Sequence, residues 1–206
     1  MTEHSNGGGL PRPEGITGVV LAGGLGRRMG NRDKGLVPLE GQPLVARVLA
    51  RFSPQVDELL VNANRHLDRY AAYGYRVVTD EVSGFPGPLA GVHSAMRAAR
   101  FEWLACVPCD APNLPGDLVS RLQRAVRMNE ADAAMARAAG RVHPVFCLCR
   151  CSTAGKLQRY LANGGRRVEE WLTTLGAVYV DFDDEPEAFR NVNTPEDLES
   201  DCGASE

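Results

Sequence analysis

The stretch VVLAGGLGRRMGNRDKGL, Val19 to Leu36, decides the fold. An apolar, β-branched run, Ile16–Ala22, leads directly into four glycines, Gly23, Gly24, Gly26 and Gly30. Glycine lets the backbone turn tightly there and present N–H groups to an anion, the way a first strand hands over to a phosphate-cradling loop. Arg27, Arg28, Arg32 and Lys34 add four cations to the same segment. A Gly-rich turn after a strand also serves as a plain strand-to-helix connection, but the added cations point to a polyphosphate. The two common nucleotide fingerprints are missing. There is no GxxxxGK[ST], and the glycines do not fit GxGxxG with an acidic residue ending the next strand.

Working outward, short β-branched runs alternate with helical spacing, the pattern of strands and helices in a mostly parallel sheet. Strands are expected over Ile16–Ala22, Glu58–Ala63, Tyr75–Thr79 and Glu102–Pro108, and helices over Pro43–Phe52, Leu67–Tyr73, Leu89–Arg100 and Gly116–Arg127. Later, ADAAMARAA and RVHPVFCLCR flank Gly140-Arg141 as a hairpin or pair of late strands. STAGKLQRYLA and RRVEEWLTTL read as helices, AVYVDF as a last strand, and TPEDLE as a helix start with Pro195 in its first turn. The expectation is a single-domain, doubly wound α/β fold over residues 16–200 with a late antiparallel element, preceded by a disordered leader over residues 1–15 containing Gly7–Gly9.

Composition narrows the class. The 206 residues suit one domain able to bury about 70% of its unfolded surface. With 23 Lys and Arg against 26 Asp and Glu, the net charge of −3 gives no general basic field for a nucleic acid. No apolar run reaches the roughly 18 residues of a membrane span. The polar start lacks a secretory h-region, which places the six cysteines in a reducing, cytoplasmic setting. Cys106-x-x-Cys109 and Cys147-x-Cys149-x-Cys151 have spacings that invite zinc or an Fe–S cluster. Alternate strand residues nevertheless stand roughly 6.5–7 Å apart, too far for all three of the latter to meet one ion without a bend. Small buried hydrophobes are the better reading.

Further candidates lie at the expected strand ends. Asp110, in CVPCDAP, would point into the crevice beyond the carboxyl ends of the strands, where a hard cation such as Mg²⁺ binds through one or two carboxylates plus substrate phosphates. The alternative is a cap for the helix beginning near Pro115. Asn62, Asn64 and Asp80 end the second and third strands, and GPLAG (Gly87–Gly91) opens the next helix. A carboxylate such as Asp80 can accept from the N–H edge of guanine while Asn62 meets another edge or the ribose. Asn and Asp also occur at such places as turn formers.

Taken in order, GVVLAGGLGRRMGNRDKGL, VNANRH, TDEVSGFPGPLAG, PCDAP, NGGRRV and FRNVNTPEDL resemble the molybdenum cofactor guanylyltransferase family, from about Ile16 to Glu199. The resemblance implies a Rossmann-like nucleotidyltransferase fold. It also implies transfer of GMP from GTP to Mo-molybdopterin, with pyrophosphate as co-product and Mg²⁺ as cofactor. On matching positions it places Leu21, Ala22, Gly23 and Gly24 against the nucleotide, Lys34 and Arg28 on the phosphates, Asn62 and Asp80 at the GTP site, and Asp110 on the metal. Gly91 also matches a substrate-handling position. Arg167, Asn191 and Asn193 match positions that handle the acceptor, and molybdenum-insertion proteins and molybdoenzyme chaperones are the implied protein partners. Arg166 and Arg167 also read as a solvated pair at a helix start. The cysteine content near Cys147–Cys151 and the long leader depart from the family pattern. A cytidylyltransferase acting on the same pterin, a sugar-phosphate nucleotidyltransferase and a non-catalytic nucleotide-binding adaptor are the alternatives at this stage.

Overall fold

A computed structural model describes residues 12–22, 33–81 and 87–192 of the chain. The Gly7–Gly9 run, the Gly23–Arg32 part of the loop and the helix expected after Asn193 lie outside the described residues. Hydrogen bonding to the sheet begins inside the expected leader, since the Pro13 carbonyl accepts from Glu102 N–H at 3.1 Å.

Each long apolar run becomes a strand. β1 (Ile16–Leu21), β4 (Glu58–Asn62), β5 (Arg76–Val78), β6 (Trp103–Pro108), β7 (Ala133–Ala138), β8 (Arg141–Arg150) and β9 (Val178–Asp181) form one sheet in the order β5-β4-β1-β6-β8-β7-β9. β1 pairs in parallel with β4 and β6, β4 with β5, and β7 with β9, while β8 runs antiparallel to both β6 and β7. The sheet is therefore mostly parallel with a late antiparallel element, as the sequence leads one to expect. A small hairpin that the sequence does not announce, β2 (Pro38–Leu39) with β3 (Gln42–Pro43), turns through Glu40 and Gly41, both at positive φ.

Both faces are covered, which explains why β1 and β6 are apolar apart from Thr17, whose buried hydroxyl donates to Glu58, rather than alternating with polar residues. Val20, Ala105, Val107 and Leu148 face one core with α1 (Leu44–Phe52) and α4 (Leu118–Met128). Val45, Val48, Leu49 and Phe52 of α1, and Leu118, Leu122 and Val126 of α4, repeat at the three- and four-residue spacing of one helix face. Val19, Leu21, Leu104 and Cys106 face the other core with α3 (Pro88–Ala98), α5 (Ala154–Ala162) and α6 (Val168–Thr174). Fully burying each Val or Leu contributes about 1.5–3 kcal/mol relative to exposure. Central β1 has its sequence successors on one side and β6 on the other, so the connections diverge at its carboxyl end and open a crevice there.

Candidate active site

Lys34 and Asp110 meet in this crevice. Cys109, just after β6, donates its N–H to the Leu21 carbonyl at 3.2 Å, which carries Asp110 past the end of β1. Lys34 Nζ stands 3.3 Å from Asp110 Oδ2, with both side chains mostly shielded. Burial pushes the Asp110 carboxyl above its ordinary range, and the Lys34 ammonium opposes that rise. The helix-cap alternative falls away, because α4 starts at Leu118 with Asp117 before it.

Among the described residues no group of three or more His, Cys, Asp and Glu side chains is placed to hold a metal ion. Asp110 offers a single carboxylate, which fits a hard cation of the kind commonly bound by one or two carboxylates with substrate phosphates completing its shell. Lys34 occupies the carboxylate in this arrangement, so a metal ion would take Asp110 only as the ammonium moves away.

One positioning residue is invisible in the sequence. Tyr70, in α2 (Leu67–Ala71), is fully buried and donates its hydroxyl to Asp33 Oδ1 at 2.5 Å. Burial, with the Asp33 contact, drives the Tyr70 pKa far upward, so the phenol stays a donor. A Cβ on Gly35 would lie 2.6 Å from that hydroxyl. Asp33 and Gly35 thus clamp the short 3-10 turn Lys34–Leu36 on either side of the lysine. The partners are 37 residues apart, and no local pattern links them.

The base-side candidates also converge. Asn62 Nδ2 donates to Asp80 Oδ1 at 2.9 Å, and Asn64 Nδ2 donates to Asp80 Oδ2 at 2.8 Å. Asp80 N–H donates to Asn64 Oδ1 at 2.9 Å, closing a reciprocal pair. Gly91 has its place for a steric reason: a Cβ there would sit 2.2 Å from Asn62 Oδ1 and 3.1 Å from Leu21 Cδ2. Leu21, Ala22, Asn62, Asp80 and Gly91 therefore belong to one corner, with Ala22 N–H donating to the Asn62 carbonyl at 2.8 Å.

The acceptor candidates separate. Val192 N–H donates to the Asp110 carbonyl at 2.8 Å, which sets neighbouring Asn191 beside the crevice. Arg167 precedes α6 on the other face of the sheet and pairs with Glu170 at 2.8 Å. Arg166 donates to the carbonyls of Leu161 and Gly165 at 2.9 and 2.6 Å, closing the end of α5. Arg28, Gly23, Gly24 and Asn193 lie outside the described residues. Cys106, Cys147 and Cys149 are buried in the second core, where Cys106 stands opposite Cys147. No helix among the described residues is long and apolar enough to cross a membrane.

The family model of the MobA-like NTP transferase domain matches residues 18–177, and with this fold and crevice it defines a nucleotidyltransferase. The molybdenum cofactor guanylyltransferase of Burkholderia lata is 50% identical over 192 residues, covering 89% of this chain and 93% of that protein. Its counterpart in Shewanella loihica is 45% identical over 181 residues, covering 88% and 92%. The chain belongs to the molybdenum cofactor guanylyltransferase family. Among solved structures, molybdopterin-guanine dinucleotide biosynthesis protein A from Archaeoglobus fulgidus superposes with a TM-score of 0.74 at 27% identity, covering 89% of this chain and 95% of that one.

Proposed function

We propose that the chain transfers GMP from GTP to Mo-molybdopterin, with Lys34 and Asp110 at the reacting phosphates. The observation that carries this is the 3.3 Å Lys34–Asp110 pair at the carboxyl end of β1, next to the corner of Asn62, Asp80 and Gly91. The acceptor's terminal phosphate oxygen attacks the α-phosphorus of GTP in line. The new P–O bond forms as the bond to the β-phosphate oxygen breaks, and pyrophosphate leaves. A phosphate nucleophile is already anionic near neutral pH, so the step depends on positioning and charge neutralisation.

Lys34, swung from Asp110 onto the phosphates, neutralises negative charge there, and Arg28 is assigned the same task. Asp110 holds Mg²⁺, which when bound neutralises charge across the triphosphate. Leu21, Ala22, Gly23 and Gly24 seat the nucleotide, and Asp80, oriented by Asn62 and Asn64, accepts from the guanine N–H edge. Arg167, Asn191 and Asn193 are assigned to the acceptor, and a cytoplasmic location suits both substrates. Incubation with GTP labelled at the α-phosphate and Mo-molybdopterin tests the reading. Label should appear in a pterin dinucleotide; label remaining in GTP or appearing only as free GMP contradicts it.

A further inference from the structure

We propose that Asn64 and Ser94 are positioning residues that make the Asp80 carboxylate selective for the 2-amino group of guanine. This rests on the guanylyl-transfer reading and adds to it the residues that set base selectivity.

The carboxylate is held at both oxygens. Asp80 Oδ1 accepts from Asn62 Nδ2 at 2.9 Å, and Oδ2 accepts from Asn64 Nδ2 at 2.8 Å. A carboxylate offers about four lone-pair sites, so each oxygen keeps accepting capacity for a ligand. A base that uses both oxygens must bring two donors on one edge. Guanine does so with N1–H and N2–H₂. The amino groups of adenine and cytosine adjoin a ring nitrogen that accepts, and the uracil N3–H lies between two carbonyls. Hypoxanthine keeps N1–H and lacks the amino group, so it engages one oxygen only.

Such selection requires the carboxylate to keep one orientation, and Asn62 alone does not secure it. Its Nδ2 also donates to the Val78 carbonyl at 3.3 Å, and on Asp80 it holds Oδ1 only. A carboxylate tied at one oxygen can swing about that tie. Asn64 removes this freedom with both ends of its amide. While Nδ2 holds Oδ2, Asn64 Oδ1 accepts from the Asp80 N–H at 2.9 Å, which closes a ring between the two residues. A turn-forming Asn bonds to backbone about two residues on. Asn64 instead spends both polar atoms on a residue 16 positions away.

Ser94 fixes the chain on the other side of Asp80. It lies buried in α3, and its Oγ accepts from the Glu81 N–H at 2.9 Å. Glu81 follows Asp80 directly, and its carboxylate pairs with Arg97, one turn beyond Ser94, at 3.0 Å. Gly91, whose missing Cβ leaves room for Asn62, stands one turn before Ser94. Residues three apart share a helix face, so α3 sets both the amide on Oδ1 and the backbone leaving Asp80. These ties orient the carboxylate before a nucleotide arrives, which lowers the ordering cost of binding.

Calorimetric titration of the full chain with GTP and with inosine triphosphate, which lacks only the 2-amino group, tests the assignment in the presence of Mg²⁺. The wild-type protein should bind GTP about tenfold tighter, the worth of one hydrogen bond to a charged acceptor. Asn64 is exposed, so Asn64→Ala and Asn64→Asp should leave folding intact. Asn64→Asp keeps an acceptor for the Asp80 N–H and sets a like charge against the carboxylate. In both variants and in Ser94→Ala the preference should shrink to within about threefold, through loss of GTP affinity. If Ser94→Ala does not fold, the two Asn64 variants decide. A wild-type preference retained in the variants, even with both affinities lowered, makes these residues structural props and overturns the assignment. Equal wild-type affinity for the two nucleotides removes Asp80 from the base and the inference with it. Pyrophosphate release by the wild-type protein with GTP and Mo-molybdopterin, measured alongside, tests guanylyl transfer separately; its absence overturns that reading.

Discussion

Val192 donates its backbone N–H to the carbonyl of Asp110 at 2.8 Å, while its side chain packs with Val37, Leu39 and Leu44. One residue thus joins the segment after Lys34, the proposed metal ligand and the chain leading from the acceptor side. Val192→Pro removes the donor. Turnover at saturating GTP should fall about tenfold, while calorimetric GTP affinity changes by less than about twofold. Equal loss of GTP affinity would make the link a general prop of the crevice.

Gly91→Ala places a methyl group 2.2 Å from Asn62 Oδ1. Asn62 must leave its bond to Asp80, and that carboxylate loses one of its two amide partners. The KM for GTP should rise about tenfold, with a smaller change in kcat. An unaltered KM for GTP would remove Asn62 and Asp80 from the nucleotide site.

Tyr70→Phe leaves the buried Asp33 carboxylate without its hydroxyl donor. Urea unfolding should show a loss of about 1–3 kcal/mol, the cost of stranding a buried polar group. Turnover should drop as well, because Lys34 is the residue next to Asp33. Loss of stability with full turnover would confine Tyr70 to packing.

His93 is buried, its Nδ1 has no hydrogen-bond partner among the described residues, and burial holds its pKa below 6.5; Glu81 opposes the shift and Arg97 adds to it. The unfolded chain therefore binds a proton before the folded one does. The neutral imidazole's contribution is complete above pH 6.5 and is lost as pH falls from there toward the depressed folded value. Stability should decline over that acid window, and His93→Gln should flatten the decline. An identical pH slope in the variant would assign the decline to other groups.

The framework was legible in the sequence because strands buried on both faces are largely apolar, as in Ile16–Leu21 and Trp103–Pro108, and helix faces repeat their spacing, as in Val45, Val48, Leu49 and Phe52. Lys34 and Asp110 were legible because both follow such strands. The Tyr70–Asp33 clamp joins residues whose proximity exists only after the sheet forms. The face that His143 reaches was hidden for a different reason. Strict alternation along β8 breaks where its pairing with β7 slips around Pro144, so that face cannot be counted from Cys147. The parity of Cys147 and Cys149 was readable, but the place of Cys106 beside them needed the antiparallel pairing of β6 with β8.

Pyrophosphate release, followed with each of GTP, CTP, ATP and UTP in the presence and absence of Mo-molybdopterin, tests guanylyl transfer at the Lys34–Asp110 crevice most directly. The account predicts release from GTP only when the acceptor is present, and a fall of at least about a hundredfold in Asp110→Asn at ordinary Mg²⁺ concentrations. Preference for CTP, release without acceptor, or full turnover by Asp110→Asn would contradict it.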